Sequence, residues 1–446
     1  MLKQVFFITA LFVVTPVWSQ VAAVDDDDTS MQTPPPVSGA AYSVKTGSEA
    51  RSNYLHAGYS VSTAYNDNVF VGTGANPTGD VSYSIWPTIA LDKTTPRLHQ
   101  TYTYSPGFTF YQHTSSRNQA DQNVSGDFQY RLSPHVTLNL QDSFRKSSNV
   151  FNQPYPFAGG AVSGSTQAPL VPVLAPVADQ ISNGAGAVVT YQFSRNGMIG
   201  GSGTFTYLHY PKPSQVPGLS DSNSRGLSGF YSHRLASTQY FGVNYQYAQS
   251  LGSLPNVQNE AQTGANSETQ TNTILFFYTK YLQPNLSMSI SAGPQHYDVS
   301  QYPYPNIRSW APAAMASLGW QGSRSSFAVS YAHIVGGGGG LLGAFNSNSA
   351  NASARLQFAR TWSVGSTASY AITKNVSPLQ ELSNPGGHMI SGTISAQHPI
   401  SERFSLEFGY TRLHQSYSNI AVISNAPDSN REYVSISYQL TRPLGR

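Results

Sequence analysis

From Asn53 onward one pattern recurs along the chain: runs of roughly ten residues in which apolar or aromatic side chains alternate with Ser, Thr, Gly, Asn or Gln. Period-two alternation puts one set of side chains on each face of a β-strand. The clearest run is Arg403 to Thr411, where Phe404, Leu406, Phe408 and Tyr410 share one face and Ser405, Glu407 and Gly409 the other. Val434, Ile436, Tyr438 and Leu440 alternate in the same way with Ser435, Ser437 and Gln439. Helical periodicity is nowhere comparably strong.

The pattern predicts eighteen strands, near residues 53–65, 80–91, 98–111, 121–132, 135–145, 182–193, 197–210, 223–234, 237–248, 268–282, 285–296, 308–320, 324–335, 347–358, 361–372, 386–399, 402–414 and 431–441. Even-to-odd links are tight, as at Ser133-Pro134 and Arg195-Asn196. The odd-to-even links are mostly longer and hold most of the Pro, Gly and Asn: 66–79, 146–181, 211–222, 249–267, 297–307, 336–346, 373–385 and 415–430. Short turns on one rim and long loops on the other describe an up-and-down transmembrane antiparallel β-barrel of about 18 strands (16–18), with the turns periplasmic and the loops extracellular. The whole of 53–441 is then one barrel, and its lumen is wide enough for water.

Composition changes the picture in one respect. Only 10% of residues are charged, the formal net charge is +3, and 12% are aromatic, including 28 Tyr. A soluble sheet protein would stud its polar face with Lys and Glu, whereas small uncharged residues suit a face that lines water inside a closed wall. Scattered Lys and Arg offer no patch for nucleic acid. Cys is absent, which excludes disulfides, thiolate metal sites and a cysteine nucleophile. No Gly-x-Ser-x-Gly elbow stands in a credible strand-turn-helix setting, and no His-Glu-x-x-His occurs, so no enzyme, cofactor or metal site is expected. The glycine run Gly336–Gly340 is expected in an external loop, without the Lys-Ser/Thr of a phosphate cradle.

Met1 to Lys3 is a positive start and Val5 to Val14 an apolar core, followed by small residues from Ser19 to Ala23. This is a secretory signal peptide over 1–23, cleaved after Ser19 or Ala23. A flexible leader over 24–52 follows, too short to form a plug, and 442–446 is a C-terminal tail. The address is the bacterial outer membrane, with its lipid and the barrel-assembly machinery as partners.

Charges in the middle of a strand should face the lumen, because Arg or Lys on the lipid face costs about 2–4 kcal/mol at the midplane. Asp127, Arg131, Arg355 and Glu407 are the candidates, acting on solutes or bracing the barrel across the lumen. Asp142 falls in phase with Val136, Leu138 and Leu140, so a rim position or a bulge is expected there. The stretch 146–181, with Pro154, Pro156, Pro169, Pro172 and Pro176, is long enough to fold inward as a constriction.

The first predicted hairpin reads Gly58-Tyr59-Ser60 and then Tyr65-Asn66-Asp67-Asn68-Val69-Phe70. It resembles the β-barrel porins that accompany bacterial exopolysaccharide and capsule operons, whose first strand runs into a similar Asp-Asn-hydrophobic-aromatic turn. The resemblance implies an outer-membrane pore for small hydrophilic solutes or glycans, or a gated barrel for polysaccharide export. A non-conducting barrel with binding loops is the third reading. Many such barrels end on an aromatic residue, whereas this chain continues from Thr441 to Arg446.

Overall fold

The computed structural model describes residues 53–70, 77–148, 151, 179–212, 218–254, 266–283, 285–301, 304–376, 386–418 and 428–444. Eighteen strands form a single sheet. They are β1 (Tyr54–Asn66), β2 (Asp80–Thr94), β3 (Leu98–Tyr111), β4 (Gln119–Ser133), β5 (Val136–Ser147), β6 (Gln180–Ser194), β7 (Gly197–His209), β8 (Asp221–Ala236) and β9 (Gln239–Ser253). The series continues with β10 (Asn266–Gln283), β11 (Leu286–Ser300), β12 (Ile307–Gln321), β13 (Ser325–Gly338), β14 (Leu341–Gln357), β15 (Ser363–Asn375), β16 (Gly387–Pro399), β17 (Phe404–Tyr417) and β18 (Asp428–Pro443). A single helical turn, Ser115–Arg117, sits between β3 and β4.

Every strand pairs antiparallel with its sequence neighbours, and β1 pairs with both β2 and β18, so the sheet is a closed barrel. The alternation sorts residues as the sequence predicts. On β17, Phe404, Phe408 and Tyr410 are exposed on the outer wall, while Thr411 and Gln415 are buried on the inner one. Hydroxyls pair between neighbouring strands on the inner face: Ser84 with Thr109 at 2.9 Å, Ser202 with Ser228 at 2.7 Å, Ser224 with Ser250 at 2.8 Å and Thr279 with Ser289 at 2.6 Å. The outer face shows a second repeat. Tyr104, Tyr245, Tyr331 and Tyr410 each donate a phenol hydrogen bond of 2.7–2.9 Å to Gln122, Asn272, Asn348 and Asn430 on the next strand. A tyrosine so placed keeps its ring in an apolar layer and its hydroxyl satisfied.

The seam between β1 and β18 explains the Asp-Asn turn. Asp67 accepts from the Asn430 backbone N–H at 2.7 Å and from the Asn430 side-chain amide at 2.5 Å. Asn68 donates to the Asp428 carbonyl at 2.9 Å, and its own carbonyl accepts from the Ser429 hydroxyl at 3.2 Å. These four bonds join strands at opposite ends of the chain.

Three expectations change. Asp142 lies in an unbroken β4–β5 register between Ser125↔Ser143 and Asp127↔Gln141, so no bulge is present there. It faces outward, and its Oδ1 accepts from the Asn183 amide at 3.0 Å. β14 starts at Leu341, six residues before the predicted 347, and β18 ends at Pro443, two after the predicted 441. The long loop expected over 336–346 does not exist: β13 and β14 continue through it and meet at Gly339-Gly340. Glycine has no side chain to carry an alternating pattern, so strand and loop look alike there.

Replacing Asp67 with Ala removes two hydrogen bonds from the closing seam and should cost about 1–3 kcal/mol. The midpoint of the heat-induced mobility shift of the folded barrel should fall accordingly.

Candidate functional site

The lumen is the one enclosed space that this ladder creates, and its two sides differ. On β8 to β14 the inward residues are buried, among them Ser222, Gln246, Thr271, Ser289, Ser317 and Ser330. On β4, β5 and β16 to β18 the inward residues Asn123, Asn139, Gln141, Thr393, Glu407 and Tyr433 are half-buried, while Asp121, Ser391, Thr411 and Gln415, towards the long-loop rim, are buried. The β13–β14 hairpin covers part of the β8 to β11 face.

The β12–β13 ladder runs from Gln321↔Ser326 up to Ala314↔His333 and stops. Beyond it β13 parts from β12 and, with β14, folds inward over the lumen face of β8 to β11. The Gln295 side chain on β11 holds it from one side, donating to the Val335 carbonyl at 2.9 Å and accepting from the Val335 N–H at 2.8 Å. From the other side, Gly343 N–H donates to Ser267 Oγ at 3.0 Å and Ser220 N–H to the Gly340 carbonyl at 2.9 Å. Val335 and Ala344 pack with Tyr297 and Val299 in one apolar cluster, and Ile334 packs with Leu275, Phe277 and Met315 in another.

Glycine is required at this tip. Gly338, Gly339 and Gly340 have φ of 97°, 71° and 89°, where a side chain is strained. A Cβ on Gly337 would lie 2.7 Å from Thr269 Oγ1, and one on Gly340 2.8 Å from the Tyr210 hydroxyl. Tyr210 lies just outside the strands and is fully buried, and burial, reinforced by Asp221, pushes its phenol pKa above the ordinary value. The sequence signal for this constriction was the run of five glycines, which the alternation pattern assigns to an external loop.

Charge gathers on the opposite side of the mouth. The Asp80 carboxylate takes hydrogen bonds from Val81 N–H at 2.8 Å, Thr114 N–H at 2.8 Å, the Thr114 hydroxyl at 2.6 Å and His113 N–H at 3.1 Å, with His113 Nδ1 at 3.0 Å. It thereby fixes the loop that carries Arg117, whose guanidinium lies 4.5 Å from the centre of the Phe70 ring. The Arg431 guanidinium lies 5.6 Å from the Phe151 ring and 5.7 Å from the Tyr433 ring. Arg431, Asp121, Arg117 and Asp80 all lie within electrostatic reach of Tyr111, and Arg145 within reach of Asp121. Asp121 is fully buried and accepts from Ser148 N–H at 3.1 Å. Around Tyr111, three arginines thus stand with two aspartates, and the donors on Asp80 hold it ionised.

Phe151 belongs to the connection between β5 and β6, yet it touches Arg431 of β18. The base of that connection is pinned by Asp179, which accepts from the Ser148 hydroxyl and has Lys212 Nζ at 3.2 Å. Burial pushes the Asp179 carboxyl up, but Ser148 and Lys212 outweigh it and hold the pKa below the ordinary value. Pro154, Pro156, Pro169, Pro172 and Pro176 lie outside the described residues.

The four charges singled out in the sequence fall on inward phases of three strands and form no single site. Asp127 sits on β4 between Thr101 and Gln141, with Arg131 four residues further towards the short turn. Arg355 on β14 stands between Ser326 and Gly365. Glu407 accepts from the Tyr433 hydroxyl at 2.8 Å. Alternation could not single out Arg117, Arg145 and Arg431, because sequence-distant pairings bring them together.

The chain matches no protein-family model and no curated protein. Among solved structures it is similar to the siderophore receptor PirA from Pseudomonas aeruginosa, at 12% identity and TM-score 0.41, over 87% of this chain and 80% of that one. It is similar to OccAB4 from Acinetobacter baumannii at 9% identity and TM-score 0.39, over 88% and 99% of the two chains. For OccK2 from Pseudomonas aeruginosa the values are 8% and 0.41, over 87% and 98%. Likeness at this level carries no argument about function, and the barrel stands on its own ladder of strand pairs.

Two predictions follow from this geometry. Gly340→Ala should push the hairpin tip off Tyr210, costing about 1–2 kcal/mol of strain and raising single-channel conductance. Gly184→Ala, where a Cβ meets nothing within 4 Å, should leave conductance unchanged. The double change Arg145→Gln and Arg431→Gln should lower the anion-to-cation permeability ratio by roughly twofold, read from reversal potentials in a salt gradient. Arg308→Gln should leave that ratio unchanged, because Arg308 pairs with Asp298 at 2.7 Å on the outer wall.

Proposed function

We propose that the chain is an outer-membrane barrel that forms a water-filled pore for passive passage of small hydrophilic solutes or glycans. The observation that carries this reading is the inversion of the wall, which is apolar where it faces outward and lined with Ser, Thr, Asn and Gln where it faces inward. A hydrocarbon layer accepts that outer surface, and closure leaves few backbone groups unpaired in it. Residues 1–23 would direct export and be cleaved, and the assembly machinery would insert the barrel with its long loops outside. Lumen charge, including Asp127, Arg131, Arg355 and Glu407, would bias which solutes pass.

The inward hairpin supports a gated barrel over a permanently open one. That keeps a second reading in view: export or surface assembly of exopolysaccharide with periplasmic partners.

Single-channel recording of the refolded chain without residues 1–23, in a planar bilayer, tests the reading. Discrete current steps are expected, and proteoliposomes should admit small sugars and exclude larger ones. Removing 152–178 should raise conductance if that connection also narrows the mouth. Silence from inserted, β-rich protein would overturn the pore and favour a non-conducting barrel whose loops bind ligands.

A further inference from the structure

A barrel has no edges only if every strand is paired on both sides along its length, and here one strand is not. Ile307 to Ala313 of β12 pair with β11, from Val299↔Ile307 to Gly293↔Ala313, and with no residue of β13. The stretch of β13 that would continue the ladder, Ile334–Gly338, lies inside the lumen instead. Trp310, the outward residue at the middle of this edge, is 67% exposed. One displacement of one hairpin therefore accounts for both the filled side of the lumen and the broken wall.

We propose that the β13–β14 hairpin is a two-position gate that swings between the lumen and the gap in the wall, zipping onto β12 when the pore opens. This rests on the pore reading above and adds how the pore is controlled. The register is already set. Continuing from Ala314↔His333 places Val335 opposite Pro312 and Gly337 opposite Trp310. The hairpin moves together with the end of β15, because Ile334↔Ser347 and Val335↔Asn346 tie β13 to residues of β14 that pair with Thr373 and Lys374, and the Val376 N–H donates to the Ala344 carbonyl at 3.0 Å.

Each position has a penalty that the other relieves. Docked in the lumen, the hairpin leaves backbone groups of β12 from Ile307 to Ala313 without strand partners on that side. The docked tip also covers the Tyr210 hydroxyl, Ser220 Oγ and Thr269 Oγ1, which are buried and without a hydrogen-bond partner among the described residues. Zipped into the wall, the hairpin would uncover these groups to water but would give up the packing of Val335 and Ile334 on the lumen face of β10 and β11. Pro312 has no N–H to offer, so the added ladder is weaker than its length implies. A glycine tip fits both places: it is narrow enough for the serine-lined seat, and a glycine-rich strand is only weakly tied to either partner.

The chain has no cysteine, so engineered pairs report without background. Gly337→Cys is combined with Thr269→Cys to capture the docked position, where the 2.8 Å between the two Cβ positions must open to the roughly 3.5–4.5 Å of a disulfide by a small shift of the tip. Gly337→Cys with Trp310→Cys captures the zipped position, since directly paired strand residues lie within disulfide range. Pro312→Cys with Val335→Cys is a second zipped pair, should the first disturb the tip. Each full-length variant is oxidised in the bilayer and recorded before and after reduction.

Both kinds of disulfide are expected to form. The Thr269 pair should hold conductance low, and the zipped pairs should raise it at least about twofold, reversibly. Formation of the Thr269 disulfide with neither zipped disulfide would overturn the proposal and make the hairpin a fixed plug. Conduction that no disulfide alters would overturn the gate and leave the pore standing. Silence of every form, with both kinds of disulfide present, would overturn the pore reading and leave the two positions of the hairpin standing.

Discussion

The rest of the structure depends on the requirement that backbone N–H and C=O groups be paired in a wall that is apolar outside. Each unpaired group in such a surround costs several kcal/mol, so a sheet can stand there only if its last strand finds its first. The pairing of β1 with β18 meets that requirement from Tyr54↔Pro443 to Asn66↔Arg431. Closure then fixes everything else. Outward residues must be apolar, inward residues inherit a water-lined space, and the connections divide into a short rim and a long one.

Against that constraint, the β12–β13 gap is the feature that needs an energetic account. The hairpin that leaves the wall gains two apolar clusters, around Val335 and around Ile334, and a doubly bonded Gln295. It leaves three buried polar atoms, on Tyr210, Ser220 and Thr269, without partners among the described residues. Each such atom costs about 1–3 kcal/mol, which is comparable with burying one aliphatic side chain. Gains and costs of similar size let one segment occupy two places.

Most of the architecture was legible in the sequence because period two survives in any strand with one apolar face. Phe404, Phe408 and Tyr410 declared the outer wall of β17 without any tertiary information. Legibility failed where side chains vanish. Gly336 to Gly340 carry no alternation, so a hairpin that folds into the lumen read as an external loop. It failed again where function depends on pairing across the chain. Arg145 is on β5, Arg431 on β18 and Arg117 in a loop, and only closure gathers them around Tyr111 and Asp121. Asp67 and Asn68 lay between these cases: their motif was visible, but its role as the clasp of the seam needs Asn430, more than 360 residues away.

The two sides of the lumen therefore do different work. The hairpin and its serine-lined seat occupy β7 to β14 and set how wide a path is. The arginines of the mouth lie on β5, β18 and the loop after β3, away from the hairpin, where a path would run. Arg431 and Arg117 rest against aromatic rings, which hold a guanidinium in place without neutralising it. A charge fixed in that way selects among solutes whenever the lumen is open and contributes nothing to closing it. Permeation and selection thus rest on separate strands, so a change in the hairpin should alter conductance without altering ion preference, and a change in the arginines should do the reverse.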